Sequence, residues 1–214
     1  MQIFLDSADV LQITLLAKSG VISGVTTNPS IIHKNGGDLK MIIIQIAEIV
    51  DGPISCEVIA SDAKTMILQG KIAANWHPNI YVKLPCTPDG LEACRALKLL
   101  GICTNITLVF SVSQANAASQ AGATLVSPFV GRLDDAGQDG VQLIQDIRTV
   151  FDYAKSSTKI LAASVRSVEK LTGVMLAGAD IATISPEIFS AMLIHPLTDT
   201  GLKIFQQDSV GITF

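Results

Sequence analysis

Eight short runs of aliphatic and β-branched residues recur along the chain, and a longer stretch of helical period follows each one. The runs are QIFLDS (2–7), GVTTN (24–28), PISCEVI (53–59), IYVKLP (80–85), GICTNITLV (101–109), ATLVSPFVGR (123–132), TKILAASV (158–165) and DIATIS (180–185). After the first, Val10, Ile13 and Leu16 share one helical face and Gly20 ends the segment. Pro29 opens a short helical segment that resumes over 38–50. Further helices are predicted from Ser61 to about Ala74, Thr87 to Leu100, 111–121, about Gln138 to Lys155, up to Ala177, and from Pro186 onward.

Strict strand–helix alternation requires parallel strands covered by helices. Eight units with no Ser/Gly linker and no shift in composition predict one α/β domain over residues 1–214, a closed (β/α)8 TIM barrel. An open doubly wound sheet is the alternative, at the cost of an unusual number of strands. An extra C-terminal helix at about 197–208 is left over. Its Leu197, Leu202 and Phe205 need a partner, either the barrel's own flank or a neighbouring subunit, and the second is the expectation.

Charged residues make up only 16% of the chain, against a usual share of about 25%. A barrel wrapped in helices accounts for this, and so does an oligomer that hides surface. The net charge of −4 gives no basic footprint, so nucleic acid is not an expected partner and any phosphate must meet a few placed arginines. No uncharged apolar run approaches the ~20 residues that span a bilayer, and no leader pattern is seen, so the expectation is a soluble cytoplasmic protein without a membrane partner. Cys56, Cys86, Cys94 and Cys103 form no CxxC pair, and His33, His77 and His195 are scattered, which predicts reduced thiols and no metal site.

In a barrel the chemistry collects at the carboxyl ends of the strands. The polar residues near those ends are Asp6, Thr26 with Asn28, Glu57, Lys83, Asn105 with Thr107, Ser127 with Arg132, and Ser164 with Arg166; the eighth strand offers only Ser185. Period-2 alternation turns Tyr81, Lys83 and Pro85 one way and Ile80, Val82 and Leu84 the other, so Lys83 points into the mouth. It is either a rim lysine that snorkels to water or a desolvated amine able to attack a carbonyl. Asp6 is either the cap of the next helix or a general acid–base. Glu57 needs a partner if buried, and Lys83 on the adjacent strand is the obvious one, whether for structure or for catalysis. Asn28 before Pro29 reads equally well as a helix cap or as a ligand for sugar hydroxyls. Arg132 and Arg166 leave neighbouring late strands, where barrels often hold phosphate; the alternative is surface arginine.

The motifs FLDSAD, GVTTNPSII, IYVKLPCTPDGLEA, TNITLVFS and SPFVGRLDD, in this order, resemble those of the transaldolase family, most of all its short branch, which includes the fructose-6-phosphate aldolases. The resemblance spans essentially the whole chain. It implies a class I aldolase-type barrel that works through a lysine imine with no metal or organic cofactor. It further implies Lys83 as the imine lysine, Asp6 as the base for the C4 hydroxyl, and Glu57 with Thr107 as holders of the water. Asn28, Asn105 and Ser127, with Thr26 nearby, would hold the dihydroxyacetone portion, and Arg132, Ser164 and Arg166 the phosphate. Glu57, Ser127 and Phe129 follow the transaldolase pattern, where the aldolases typically carry Gln and Tyr at the positions of Glu57 and Phe129.

The implied activity is transfer of a dihydroxyacetone unit from sedoheptulose 7-phosphate or fructose 6-phosphate to glyceraldehyde 3-phosphate or erythrose 4-phosphate, in the non-oxidative pentose phosphate pathway. The implied partners are sugar phosphates and further copies of the chain, as a homodecamer of two pentamers. The rivals are an aldolase that releases free dihydroxyacetone, an aldolase for deoxyribose phosphate, and a non-catalytic sugar-phosphate-binding barrel.

Overall fold

A computed structural model describes residues 1–210, 212 and 213, so residues 211 and 214 of the expected 1–214 unit lie outside the described residues. The strands are β1 (Gln2–Asp6), β2 (Ile22–Thr26), β3 (Ile54–Glu57), β4 (Ile80–Pro85), β5 (Thr104–Val109), β6 (Leu125–Pro128), β7 (Lys159–Val165) and β8 (Ile181–Ile184). They close into a barrel in sequence order, each parallel to its neighbours, with β1 pairing β8. The helices are α1 (Val10–Ala17), α2 (Pro29–Asn35), α3 (Leu39–Ile49), α4 (Ala63–Ala74), α5 (Pro88–Leu99), α6 (Val112–Ala121), α7 (Val130–Asp135), α8 (Gly140–Ala154), α9 (Val168–Leu176), α10 (Pro186–Ala191) and α11 (Pro196–Asp208). The TIM-barrel expectation is met, and among the described residues no helix is long and apolar enough to cross a membrane.

Alternation along each strand divides the core in two. Outward residues such as Leu5, Val25, Ile54, Val82, Leu84, Ile106 and Ile160 pack against Ile13, Ile43, Ile46, Leu97, Ile144 and Phe151 of the helices. Inward residues Phe4, Leu125, Leu161, Ala163 and Ile181 form a separate apolar cluster within the barrel. Gly24 makes room for it, since a Cβ there would stand 2.6 Å from the Phe4 ring. This plug leaves the carboxyl end of the lumen to the polar residues.

The turn after most strands is fixed by a side-chain cap on the next helix, each worth about 1 kcal/mol. Asp9 caps α1, Asn28 caps α2, Ser167 caps α9 and Ser185 caps α10. Because Asp9 holds the α1 cap, Asp6 is released from that duty.

The sixth strand departs from its predicted span of 123–132. It ends at Pro128, and the chain turns into α7, with Val130 and Leu133 buried one helical turn apart. Gly131 permits the turn: a Cβ there would meet the Ser164 carbonyl oxygen at 2.3 Å. Arg132 therefore projects from a helix and not from a strand. The C-terminal helix forms as expected, but α11 has no buried residue, and Leu197 and Phe205 are 73% and 71% exposed.

Candidate active site

The register of the barrel brings the polar residues of adjacent strands together. Glu57 on β3 stands opposite Lys83 on β4, and Lys83 opposite Asn105 on β5. Lys83 is 4% exposed, so it is no rim lysine. Its Nζ lies 2.9 Å from Glu57 Oε2 and donates to the Thr27 carbonyl oxygen, also at 2.9 Å. A buried amine is tolerated only with such partners. Neighbouring Cys56 shows how dry the region is: burial, together with the Glu57 charge, pushes its thiol up to about 12.

Asp6 ends β1 at the same level. Its Oδ1 accepts a hydrogen bond from Thr26 Oγ1 at 2.7 Å, and Thr26 Oγ1 lies 2.6 Å from Thr183 Oγ1 on β8. Burial raises the Asp6 carboxyl above its ordinary 3.8, while the Thr26 bond and then neighbouring Lys83 pull it back. A carboxyl poised in this way takes up and returns protons nearer neutrality than a surface aspartate does.

Asn105 is fixed from both sides. Its Nδ2 donates to Ser55 Oγ at 3.1 Å, and its Oδ1 accepts from Ser127 Oγ at 2.7 Å. Among the described residues the buried Thr107 Oγ1 has no partner, and so is a hydroxyl with its hydrogen-bonding capacity unmet. Asn28 Oδ1 accepts from Ile31 N at 2.9 Å, so its cap reading holds, yet Asn28 also lines the mouth.

The far wall comes from β6, α7 and β7. The Arg132 guanidinium lies 4.8 Å from the Phe129 ring centroid, and that ring tilts against Phe110 at 5.9 Å. Arg166 Nη1 pairs with Asp135 Oδ1 at 2.6 Å, with both side chains more than half exposed. Ser164 has φ +56°, a left-handed conformation that a non-glycine residue adopts only under constraint. It coincides with the break in β7–β8 register between Ala162 and Val165, a bulge that re-aims the strand end.

A cavity of about 200 Å³ joins these groups, lined by Asp6, Thr26, Asn28, Lys83, Ser127, Phe129, Arg132, Ser164 and Arg166 together with Thr183. A wider hollow of about 430 Å³ beside α2 touches Glu57 but contains neither arginine. The smaller one gathers most of the candidate residues, both arginines among them. Of the twelve candidate residues, Glu57, Asn105 and Thr107 are not on its wall; the first two reach it through Lys83 and Ser127.

Sequence reading missed three contributors: Thr183, Ser55 and the Thr27 carbonyl. For the eighth strand it stopped at Ser185, which serves as a cap. Alternation back from Ser185 would have found Thr183, which shares the inward face with Ile181.

Fold and site together define a (β/α)8 barrel whose polar centre is built from side chains at the carboxyl ends of the strands. Residues 3–211 match the family model described as Transaldolase/Fructose-6-phosphate aldolase, and the chain belongs to that family of enzymes. A protein of Carboxydothermus hydrogenoformans called a probable transaldolase is 49% identical over 208 residues, covering 97% of each chain. Another of that name, from Caulobacter vibrioides, is 51% identical over 208 residues, covering 97% of this chain and 96% of the relative. A solved mandelate oxidase mutant with an FMN adduct superposes with TM-score 0.59 at 13% identity, covering 84% of this chain and 60% of that one; the likeness is one of fold alone.

Proposed function

We propose that this chain is a transaldolase that moves a dihydroxyacetone unit from sedoheptulose 7-phosphate or fructose 6-phosphate to an aldose phosphate through an imine on Lys83. The observation that carries the reading is the buried Lys83 amine, paired with the half-buried Glu57 at 2.9 Å and facing a cavity that it shares with Asp6 and two arginines.

The unprotonated Lys83 amine adds to the ketose C2 carbonyl, and Glu57 supplies the proton with which the C2 oxygen leaves as water. The family resemblance assigns the holding of that water to Glu57 together with Thr107, whose buried hydroxyl has no partner among the described residues. Asp6 takes the C4 hydroxyl proton, the C3–C4 bond breaks, and its electron pair moves to the iminium. An aldose phosphate departs, and an enamine stays on Lys83. Attack of the enamine on a new aldehyde reverses these steps: Asp6 returns its proton, and water, activated by Glu57, hydrolyses the imine. Ser127, Asn28 and Thr26 on the cavity wall would meet the hydroxyls of the three-carbon unit, with Asn105, tied to Ser55, behind Ser127. Arg132, Ser164 and Arg166 would take the phosphate.

Transfer is favoured over release of dihydroxyacetone because the ring on the cavity wall, Phe129, offers no proton to the enamine carbon. Borohydride reduction in the presence of fructose 6-phosphate should trap the sugar on the peptide containing Lys83, and absence of that adduct removes the imine. Equal rates of fructose 6-phosphate cleavage with and without an aldose-phosphate acceptor would instead indicate an aldolase. The pair Glu57→Gln and Phe129→Tyr should shift products toward free dihydroxyacetone. The same reading extends to a homo-oligomer in which α11, unburied in the single chain, packs on a neighbouring copy; light scattering at the mass of a decamer is the expected result.

A further inference from the structure

Strand β8 contributes one polar side chain to the mouth that the mechanism above leaves without work. Thr183 is 3% exposed, and its Oγ1 lies 2.6 Å from Thr26 Oγ1, itself 2.7 Å from Asp6 Oδ1. A hydroxyl has a single proton to donate, and a carboxylate can only accept. When Asp6 is ionised, Thr26 must direct its proton at Asp6, so the short contact to Thr183 is a hydrogen bond only if Thr183 donates. When Asp6 is protonated, the order can reverse: Asp6 donates to Thr26 and Thr26 to Thr183. The two orders differ by rotation about two C–O bonds and need no heavy atom to move. The first ends on a full negative charge, so its bonds are charge-assisted and strengthen each other; the second is neutral throughout.

We propose that Thr183 is a positioning residue whose hydroxyl fixes the direction and strength of the Thr26 hydrogen bond to Asp6, and thereby how readily that carboxyl takes and returns a proton. The inference rests on the reading of Asp6 as the acid–base group. Among the charged groups that face Asp6 are Lys83 from β4, Arg132 from α7 and Arg166 after β7, which share its cavity. On its other flank lie Asp9 before α1, Lys34 from α2 and Glu187 from α10. Replacing Thr183 by Val changes none of these charges and almost no volume, so it isolates the hydroxyl.

The test has two readouts. One is the pH dependence of kcat/KM with fructose 6-phosphate and erythrose 4-phosphate; the other is a carbon-13 NMR titration of the Asp6 carboxyl in the same full-length variants. Thr183→Val should move both the acidic limb and the carboxyl titration upward by about half a pH unit, since it removes the bond that reinforces the charge-assisted one. Thr183→Ser should restore both. Thr26→Val should shift them at least as far, and adding Thr183→Val in that background should shift them no further.

If Thr183→Val does not fold, the order of Thr26→Val, Thr183→Ser and the parent chain still decides: a serine variant shifted as far as Thr26→Val overturns the proposal. So does an unmoved carboxyl in Thr183→Val, or an equal added shift once Thr26 is gone. A carboxyl that shifts while the kinetic limb stays put supports the hold of Thr183 on Asp6. That result removes Asp6 from the acid–base role and leaves the hydroxyl chain standing.

Discussion

The two walls of the barrel mouth hold their polar groups in opposite ways. On the wall built from β1 to β5, with Ser127 beside it, Lys83, Thr26, Asn105 and Ser55 are buried and tied to one another or to their neighbours at 2.7–3.1 Å. On the wall built from α7 and the end of β7, Arg132 and Arg166 are exposed, the first resting on an aromatic ring and the second on one carboxylate. On the proposed function, the difference follows from what each wall would do. Bond making and breaking need reacting atoms held to a fraction of an ångström in a site from which water is largely excluded. Catching a dianion needs reach and charge at the surface, where the ligand arrives hydrated.

Substitutions should therefore act on different kinetic constants at the two walls. The largest effect is expected from Lys83→Met, which removes the proposed nucleophile: a fall in kcat of at least about 10⁴-fold, with no borohydride adduct. Residual turnover within tenfold of the parent would mean that the buried wall is structural only. Next comes Asp6→Asn, which keeps an acceptor for Thr26 but takes no proton; kcat should drop about 10²–10⁴-fold.

The same change tests the electrostatics. The folded Asp6 carboxyl is raised above 3.8, so it binds its proton more tightly than the unfolded chain does. That favours the native state below 3.8, and the advantage is lost as pH rises through the raised value. Asp6→Asn should therefore melt higher than the parent at pH 7, with the gap closing as pH falls toward 3.8. A variant that melts lower at pH 7 would show that attraction to Lys83 outweighs burial. On the open wall, Arg166→Ala and Arg132→Ala should each raise KM for phosphorylated sugars about 10–100-fold, with a smaller change in kcat. A kcat loss that dominates would erase the contrast between the walls.

The buried wall was largely readable from the sequence because β-structure has a fixed period. Alternation turned Lys83 inward, and adjacency of β3 to β4 supplied Glu57 as its partner, as the register shows. Asp6 was less determined, since a carboxylate at a strand end is as good a cap as a base; Asp9, which caps α1, removes the first role and leaves the second as a proposal. The partners that orient Asn105 depend on contacts across β3, β5 and β6, which no local pattern encodes. The open wall was harder still. Val126 to Phe129 continue a strand-like alternation, and nothing within the segment announces the turn at Gly131, which is required by the approach of a distant strand. Without α7, neither the stacking of Arg132 on Phe129 nor the presence of Asp135 beside Arg166 can be anticipated.

The smallest expected effect follows from that missed helix. Asp135 engages Arg166 at 2.6 Å, so on the proposed function an incoming phosphate would compete with a carboxylate already on the guanidinium. An ion pair this exposed is screened and contributes well under 1 kcal/mol, so displacing it costs little. Its charge nonetheless repels the dianion, and Asp135→Asn removes that charge while keeping a weaker acceptor that can hold Arg166 in line. The variant should bind phosphorylated sugars about two- to fivefold more tightly, seen as a lower KM at unchanged kcat, with the gain fading at high salt. If Asp135 instead aligned Arg166 as firmly as Glu57 holds Lys83, the same change would raise KM, and the open wall would be preorganised after all.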